Sequence, residues 1–351
     1  MISLSRIWGR WAIIQAQVVP YVLLLRYRPM PKQAALIYNP NAGIRDWSAQ
    51  LAQFRHFWAA KGWTVDLRPT KYPGHATTLA ATLVDEGFPL VFAAGGDGTL
   101  NEVANGLAGT DVIMAPLPVG TANSFAKEIG LPVRSLLQEN RLLAVSEVLA
   151  TGRVYAMDLG RCDDGRYWLL WASTGADGFI IDQIEPRSRR FKRLGTVGYA
   201  AKFLFFLPSF TGIHGRVTVD DQVVEGDFLQ VMVSNCQRYA GGEFILNRRG
   251  QLDDGLFEVW IVRGKRWPML VRYTIEVALD SHDLDPNIDV LAGTRVVVET
   301  DEPAPYHLDA EPAGKTPLAC TLQPGALRIL APATTPTPLF KRAGVPLGAL
   351  A

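Results

Sequence analysis

The chain has 351 residues, 48% of them apolar and 20% charged, and a formal net charge of +1. That is length enough for two domains with cores of their own, and so even a charge excludes a global field built for nucleic acid. Cys162, Cys236 and Cys320 are far apart with no CxxC pair, which excludes a disulfide scaffold or zinc site and fits a reducing cytoplasm.

In chain order, the first unit is residues 1–31. Trp11 to Leu25 is mostly apolar, with Arg6 and Arg10 before it and Arg26, Arg28 and Lys32 after. It is shorter than the ~20 residues of a spanning helix and lacks a signal-peptide cleavage pattern. Arginine-edged and tryptophan-bearing, it reads as a segment lying in a membrane interface; the alternative is a helix packed on the next domain.

Residues 32–150 alternate between strand and helix. Strands are expected at Ala34–Tyr38, Trp63–Arg68, Leu90–Ala94 and Val112–Ala115, with helices over Trp47–Ala60, His75–Asp85 and from Leu100. Such alternation predicts a parallel sheet covered by helices, with ligands at the carboxyl ends of its strands.

The run Gly95-Gly96-Asp97-Gly98-Thr99 joins a buried strand to a helix. Its glycines let backbone N–H groups meet an anion at a helix N-terminus. Asp97 is out of place beside a phosphate unless a cation or a reacting proton joins it, which points to nucleotide, Mg2+ and phosphoryl transfer. Capping of the helix from Leu100 is its plainer role. Gly120-Thr121 is a second such loop, or else the lead-in to a helix over Asn123–Ile129.

From 151 to 330 the texture becomes short β segments, among them Tyr167–Trp171, Arg216–Val219, Phe228–Ser234, Phe257–Val262 and Arg295–Glu299. A mainly antiparallel β domain is expected. One helical interruption, Gly195–Leu207, follows the cluster Arg187, Arg189, Arg190, Lys192 and Arg193, which reads as a solvated face or as a contact with anionic headgroups. Residues 331–351 have Pro/Thr-rich composition and read as a flexible tail. The five histidines show no ligand spacing.

In this order the motifs resemble those of the diacylglycerol kinase catalytic family, in its bacterial branch related to sphingosine kinases. They are Asn39-Pro40-Asn41-Ala42-Gly43, Gly95–Thr99 with Asn101-Glu102, Gly120-Thr121-Ala122-Asn123, Gly175-Ala176-Asp177-Gly178, Asn235–Gly242, Asp253-Asp254-Gly255-Leu256 and Leu308-Asp309-Ala310-Glu311. A lone GGDGT also occurs in NAD kinases; the ordered set is far more specific.

The resemblance implies an α/β N-terminal domain of the NAD kinase/diacylglycerol kinase type and an antiparallel β C-terminal domain. It implies ATP held by Asn39, Pro40, Gly43, Thr70, Gly95, Gly96, Gly98, Thr99, Asn101, Glu102, Gly120 and Thr121. It implies a structural Mg2+ on Asp254 with the backbone oxygens of Gln251 and Leu256. Asp97, Asp309 and Glu311 become the catalytic carboxylates, with either Asp309 or Glu311 taking the proton of a lipid hydroxyl. Ala310 stands where the family has glycine, and a left-handed backbone there would strain it. Ala42 replaces a usual serine, and Cys236 and Ala240 lie in a stretch richer in glycine.

The expected activity is ATP-dependent phosphorylation of a lipid, by default diacylglycerol to phosphatidate. A sphingoid base or another lipid alcohol, NAD, and nucleotide or lipid binding without turnover are the alternatives. The expected partners are the lipid substrate and a membrane surface, with no nucleic acid and a homodimer left open. The expected place is the cytoplasm, at the inner face of the cell membrane.

Overall fold

The computed structural model describes residues 31–42, 47–133, 141–184, 201–202, 205–279, 281–282, 285–336 and 338–350. Strands β1 (Gln33–Tyr38), β2 (Thr64–Pro69), β3 (Leu90–Gly95) and β4 (Ile113–Pro118) form a parallel sheet in the order β4-β3-β1-β2. Every residue of β3 and β4 is buried, as parallel strands covered on both faces require.

The covering helices bury residues at helical spacing. These are Leu51, Phe54 and Trp58 of α1 (Trp47–Ala59), and Leu100, Val103, Ala104 and Leu107 of α3 (Asp97–Leu107). Helix α2 (His75–Asp85) packs on α3, and α5 (Arg141–Leu149) on α1. In the latter pair the Trp58 indole donates to Ser146 Oγ at 3.1 Å. Helix α3 starts at Asp97, earlier than its sequence suggests, so the glycine run is partly the helix's own first turn.

The second half is antiparallel, as expected. Strand β9 (Gln222–Ser234) pairs with β7 (Trp171–Gly175), β8 (Ile213–Val219) and β12 (Phe257–Arg263). Strand β15 (Pro305–Leu308) joins β7 on one side and β16 (Glu311–Lys315) on the other. Trp168 stacks on Phe257 at 5.1 Å in a second core with Phe228, Val231 and Leu318. Helices α6 (Ala176–Ile184) and α7 (Pro268–Ala278) interrupt these strands.

The division at residue 150 is not a break in the sheet. Strand β5 (Arg153–Cys162) pairs along β17 (Leu318–Ala331), whose Arg328 and Ile329 lie parallel to Ile113 and Met114 of β4. Residues 332–350 correct the expectation of a flexible tail. Leu339 and Leu347 are buried, Phe340 stacks on Tyr155 at 4.1 Å, and Val345 and Pro346 pair with β5. Their apolar side chains are too widely spaced for any helical or strand period, so composition alone misses the packing. Residues 1–30, the basic cluster at 187–193 and most of the helix expected over 195–207 lie outside the described residues. Among the described residues no helix is long and apolar enough to cross a membrane.

Candidate active site

The predicted nucleotide residues collect at the carboxyl edge of the parallel sheet. Asn39 and Thr70 follow β1 and β2; Asn39 N–H donates to Ala94 O and Thr70 N–H to Tyr38 O. The Asn39 side-chain oxygen accepts the Asn41 N–H at 2.9 Å, closing an Asx-turn across exposed Pro40. Gly43 lies outside the described residues.

The two glycine loops touch backbone to backbone. A Cβ on Gly120 would stand 2.5 Å from Gly96 Cα, and one on Gly95 would stand 2.3 Å from Thr99 Cβ. Only glycine allows these approaches. Gly96 is the N-cap of α3 and no side chain caps that end. Gly98 and Thr99 are partly exposed and Thr121 is exposed.

Asp97 does not cap its own helix. Its Oδ1 accepts the Phe125 N–H at 3.1 Å, at the start of α4 (Ser124–Glu128), so the carboxylate ties the two loops together. Glu102 faces away from them: its two oxygens accept the N–H groups of Gly74 (2.9 Å) and Ala76 (3.0 Å) and cap α2. Asn101 turns toward the second half of the chain and donates to Asp309 Oδ2 at 2.7 Å.

Asp309 is the most heavily bonded carboxylate of the site. Besides Asn101 it accepts Leu169 N–H on Oδ2 (2.7 Å), and Leu170 (2.8 Å) and Trp171 (3.0 Å) on Oδ1. Four donors fill the four lone-pair positions of a carboxylate. Burial pushes its pKa up, the Asp97 charge adds to that, and the three backbone N–H groups pull it down. Glu311, two residues on, is exposed and sits on the glycine loop: a Cβ on Gly98 would lie 2.3 Å from its Oε1. The hairpin between β15 and β16 therefore delivers one anchored carboxylate and one that overlies the loop.

That hairpin turn is the two-residue Asp309-Ala310, at φ 49° and 65°. Both are left-handed, as a type I′ turn requires. The alanine is thus in the strained conformation anticipated for it.

Several joining residues carry no motif. Asn105 donates to Tyr167 O (2.9 Å) and accepts Tyr167 N–H (2.8 Å). Glu128, buried, accepts the N–H groups of Gln237 (2.7 Å) and Arg238 (3.0 Å), and burial pushes its pKa up against those bonds. Lys127 Nζ donates to Gly241 O at 2.6 Å and pairs with Glu243. A signal existed for Asn105, one turn after Asn101 on the same helix face. None existed for Glu128, whose partners are backbone groups.

The acidic turn Asp253-Asp254-Gly255 lies elsewhere, beside β5. Asp254 Oδ1 accepts Leu256 N–H at 3.1 Å, and the Gln251 side-chain amide donates to Pro338 O. Asp158, missed in the sequence, accepts Gly255 and Gly325 N–H groups at 2.7 Å each, while Asp253 accepts those of Lys341 and Arg342. Among the described residues no three His, Cys, Asp or Glu side chains gather as metal ligands. One carboxylate with two carbonyl oxygens, the set expected here, is compatible with a hard cation.

A family model described as "Diacylglycerol kinase catalytic domain" matches residues 33–162, and one described as "YegS C-terminal NAD kinase beta sandwich-like domain" matches 171–331. Among curated proteins, the diacylglycerol kinase of Bacillus subtilis (strain 168) is 28% identical over 288 residues, 82% of this chain and 92% of that one. That of Staphylococcus carnosus (strain TM300) is 27% identical over 290 residues, covering 82% and 91%. Two solved structures from Bacillus anthracis str. Sterne share the fold. One has TM-score 0.69, and the other, of a diacylglycerol kinase, 0.62; each is 22% identical and covers 87% of this chain, with 97% and 98% of its own length. With both halves matched in order and relatives aligned over most of their own length, this chain is a lipid kinase of the diacylglycerol kinase catalytic family.

Proposed function

We propose that the enzyme transfers the γ-phosphoryl group of ATP to the free hydroxyl of diacylglycerol, giving phosphatidate, with Glu311 as the base. The acceptor follows the names of the Bacillus and Staphylococcus relatives. The observation that carries the assignment of the base is the position of Glu311 Oε1 over Gly98, while the four lone-pair positions of Asp309 are taken.

In this reading the N–H groups of Gly96 and Gly98 and the Thr99 hydroxyl hold phosphate oxygens, and Gly120 and Thr121 complete the cradle. Asn39, Pro40 and Thr70 border the rest of the nucleotide. Mg2+ bound with ATP would supply neutralisation of phosphate charge, and the acceptor-only carboxylate of Asp97 suits a hard cation beside the loop. Glu311 accepts the hydroxyl proton as the oxygen attacks in line. Asp309 holds the hairpin to Asn101 and to the 169–171 backbone, so alignment is set before substrate arrives. A second Mg2+ at Asp254, with the carbonyl oxygens of Gln251 and Leu256, is a structural element of the same proposal. Because diacylglycerol resides in a bilayer, the enzyme works at a membrane surface, peripherally on the inner face.

The test is radiolabelled ATP with mixed vesicles of diacylglycerol, sphingosine or ceramide, and with NAD in solution. Label in phosphatidate, reduced roughly 10²- to 10⁴-fold in kcat by Glu311→Gln with ATP binding intact, is the expected result. Label in sphingosine or NAD instead overturns the acceptor, and full activity of Glu311→Gln overturns the base.

A further inference from the structure

His307 is a buried histidine on β15, two residues before the anchored carboxylate. The β15–β16 ladder shifts register between Tyr306 and His307, a local irregularity just ahead of the turn. His307 Nδ1 accepts the N–H of Ala310 at 3.2 Å. An accepting Nδ1 carries the lone pair, so the ring proton of the neutral imidazole is on Nε2. Nε2 in turn faces Asp177 Oδ2 at 3.8 Å, and the same oxygen accepts the Tyr239 hydroxyl.

Asp177 is itself fixed. Its N–H donates to Gln230 Oε1 at 3.2 Å, and Gln230 Nε2 donates to Ser173 Oγ at 2.9 Å, joining α6 to β7 and β9. The imidazole is therefore backed by a built polar network and directs its lone pair at one backbone N–H. That N–H belongs to an alanine at φ 65°, in a two-residue turn whose partner residue is also left-handed. A left-handed L-residue is strained, so a turn without glycine needs an added restraint.

We infer that His307 is a positioning residue for phosphoryl transfer: its Nδ1 holds the Ala310 N–H, which keeps the Asp309-Ala310 turn closed and the Glu311 carboxylate over Gly98. The role rests on the reading of Glu311 as the base. Asp177 and Tyr239 serve it by holding the Nε2–H tautomer.

Asparagine and glutamine separate this role from simple filling of space. Asn Oδ1 falls near the position of His Nδ1, whereas the Gln amide reaches the position of Nε2 and leaves Ala310 without its acceptor. With the whole chain, radiolabelled ATP and diacylglycerol-containing vesicles, His307→Gln and His307→Ala should lose roughly 10- to 100-fold in kcat at unchanged KM for ATP. His307→Asn should recover most of that loss. Adding Ala310→Gly to His307→Ala should recover part of it, because a glycine turn needs less restraint.

Two readouts stand apart from activity. Imidazole nitrogen NMR shifts of the wild type should report the Nε2–H tautomer. The Ala310 amide should exchange faster with solvent in His307→Gln than in His307→Asn. An Nδ1–H tautomer, or equal kcat and equal exchange in the Asn and Gln variants, overturns the inference. Full activity of Glu311→Gln overturns the base assignment instead, and leaves the tautomer and the Ala310 exchange to decide whether His307 holds the turn.

Discussion

At the scale of single residues, two neighbouring carboxylates are placed differently by the fold. Asp309 and Glu311 are equivalent in sequence, yet one meets four donors and the other overlies the glycine loop. Ala310 between them is left-handed at φ 65°, and that conformation sets its cost. Replacing it with glycine removes roughly 1–2 kcal/mol of left-handed strain, offset by about 0.4–1 kcal/mol of added freedom in the unfolded chain. Ala310→Gly should therefore raise stability by roughly 0–1.6 kcal/mol in denaturant unfolding, with lipid kinase activity retained. A loss of stability would mean that φ at this turn is not the controlling factor.

At the scale of elements, most of the polar side chains singled out by the motifs tie elements together. Asp97 bonds the start of α4, Glu102 caps α2, and Asn101 crosses from α3 to the β15–β16 hairpin. The Glu102 carboxylate stands on two N–H groups at a helix N-terminus, where a cap and a negative charge both stabilise. Glu102→Ala should cost about 1 kcal/mol of stability and leave ATP affinity unchanged in titration calorimetry. A large drop in ATP affinity without loss of stability would return Glu102 to the nucleotide. The motif Gly-Gly-Asp-Gly-Thr-x-Asn-Glu thus codes for a tightly packed glycine loop and for the fastenings of its scaffold in the same eight positions.

At the scale of the whole molecule, the two halves are continuous through β5 and β17, and Phe340, Val345 and Pro346 pack on β5 of that seam. Near it the Glu258 pKa is raised from 4.5 to about 7, chiefly by burial and further by the charge of Asp254. A carboxyl raised on folding favours the protonated form. Its contribution is complete below about pH 4.5 and is lost as pH rises through about 7. The loss is at most about 3 kcal/mol, and Glu258→Gln should abolish it, leaving the variant more stable than wild type at pH 8 but not at pH 4. Parallel denaturant unfolding at the two values decides this, and an identical difference at both would exclude Glu258 as the group responsible.

What was legible from the amino-acid order follows from local physics. Unbroken apolar runs gave the parallel strands, 3.6-residue spacing gave α1, α2 and α3, and glycine pairs after a strand marked loops that no side chain could enter. Those features depend on neighbours within a turn or a strand, so the carboxyl-edge placement of Asn39, Thr70, Gly95–Thr99 and Gly120–Thr121 could be read in advance. The docked tail, the backbone partners of Glu128 and Asp158, and the helices α6 and α7 could not, because their partners are distant in the chain or lie in the backbone, which has no sequence signature. Asp309 and Glu311 show the limit most sharply. Two acids one residue apart have the same chemistry until folding brings four donors to the first and Gly98 beneath the second.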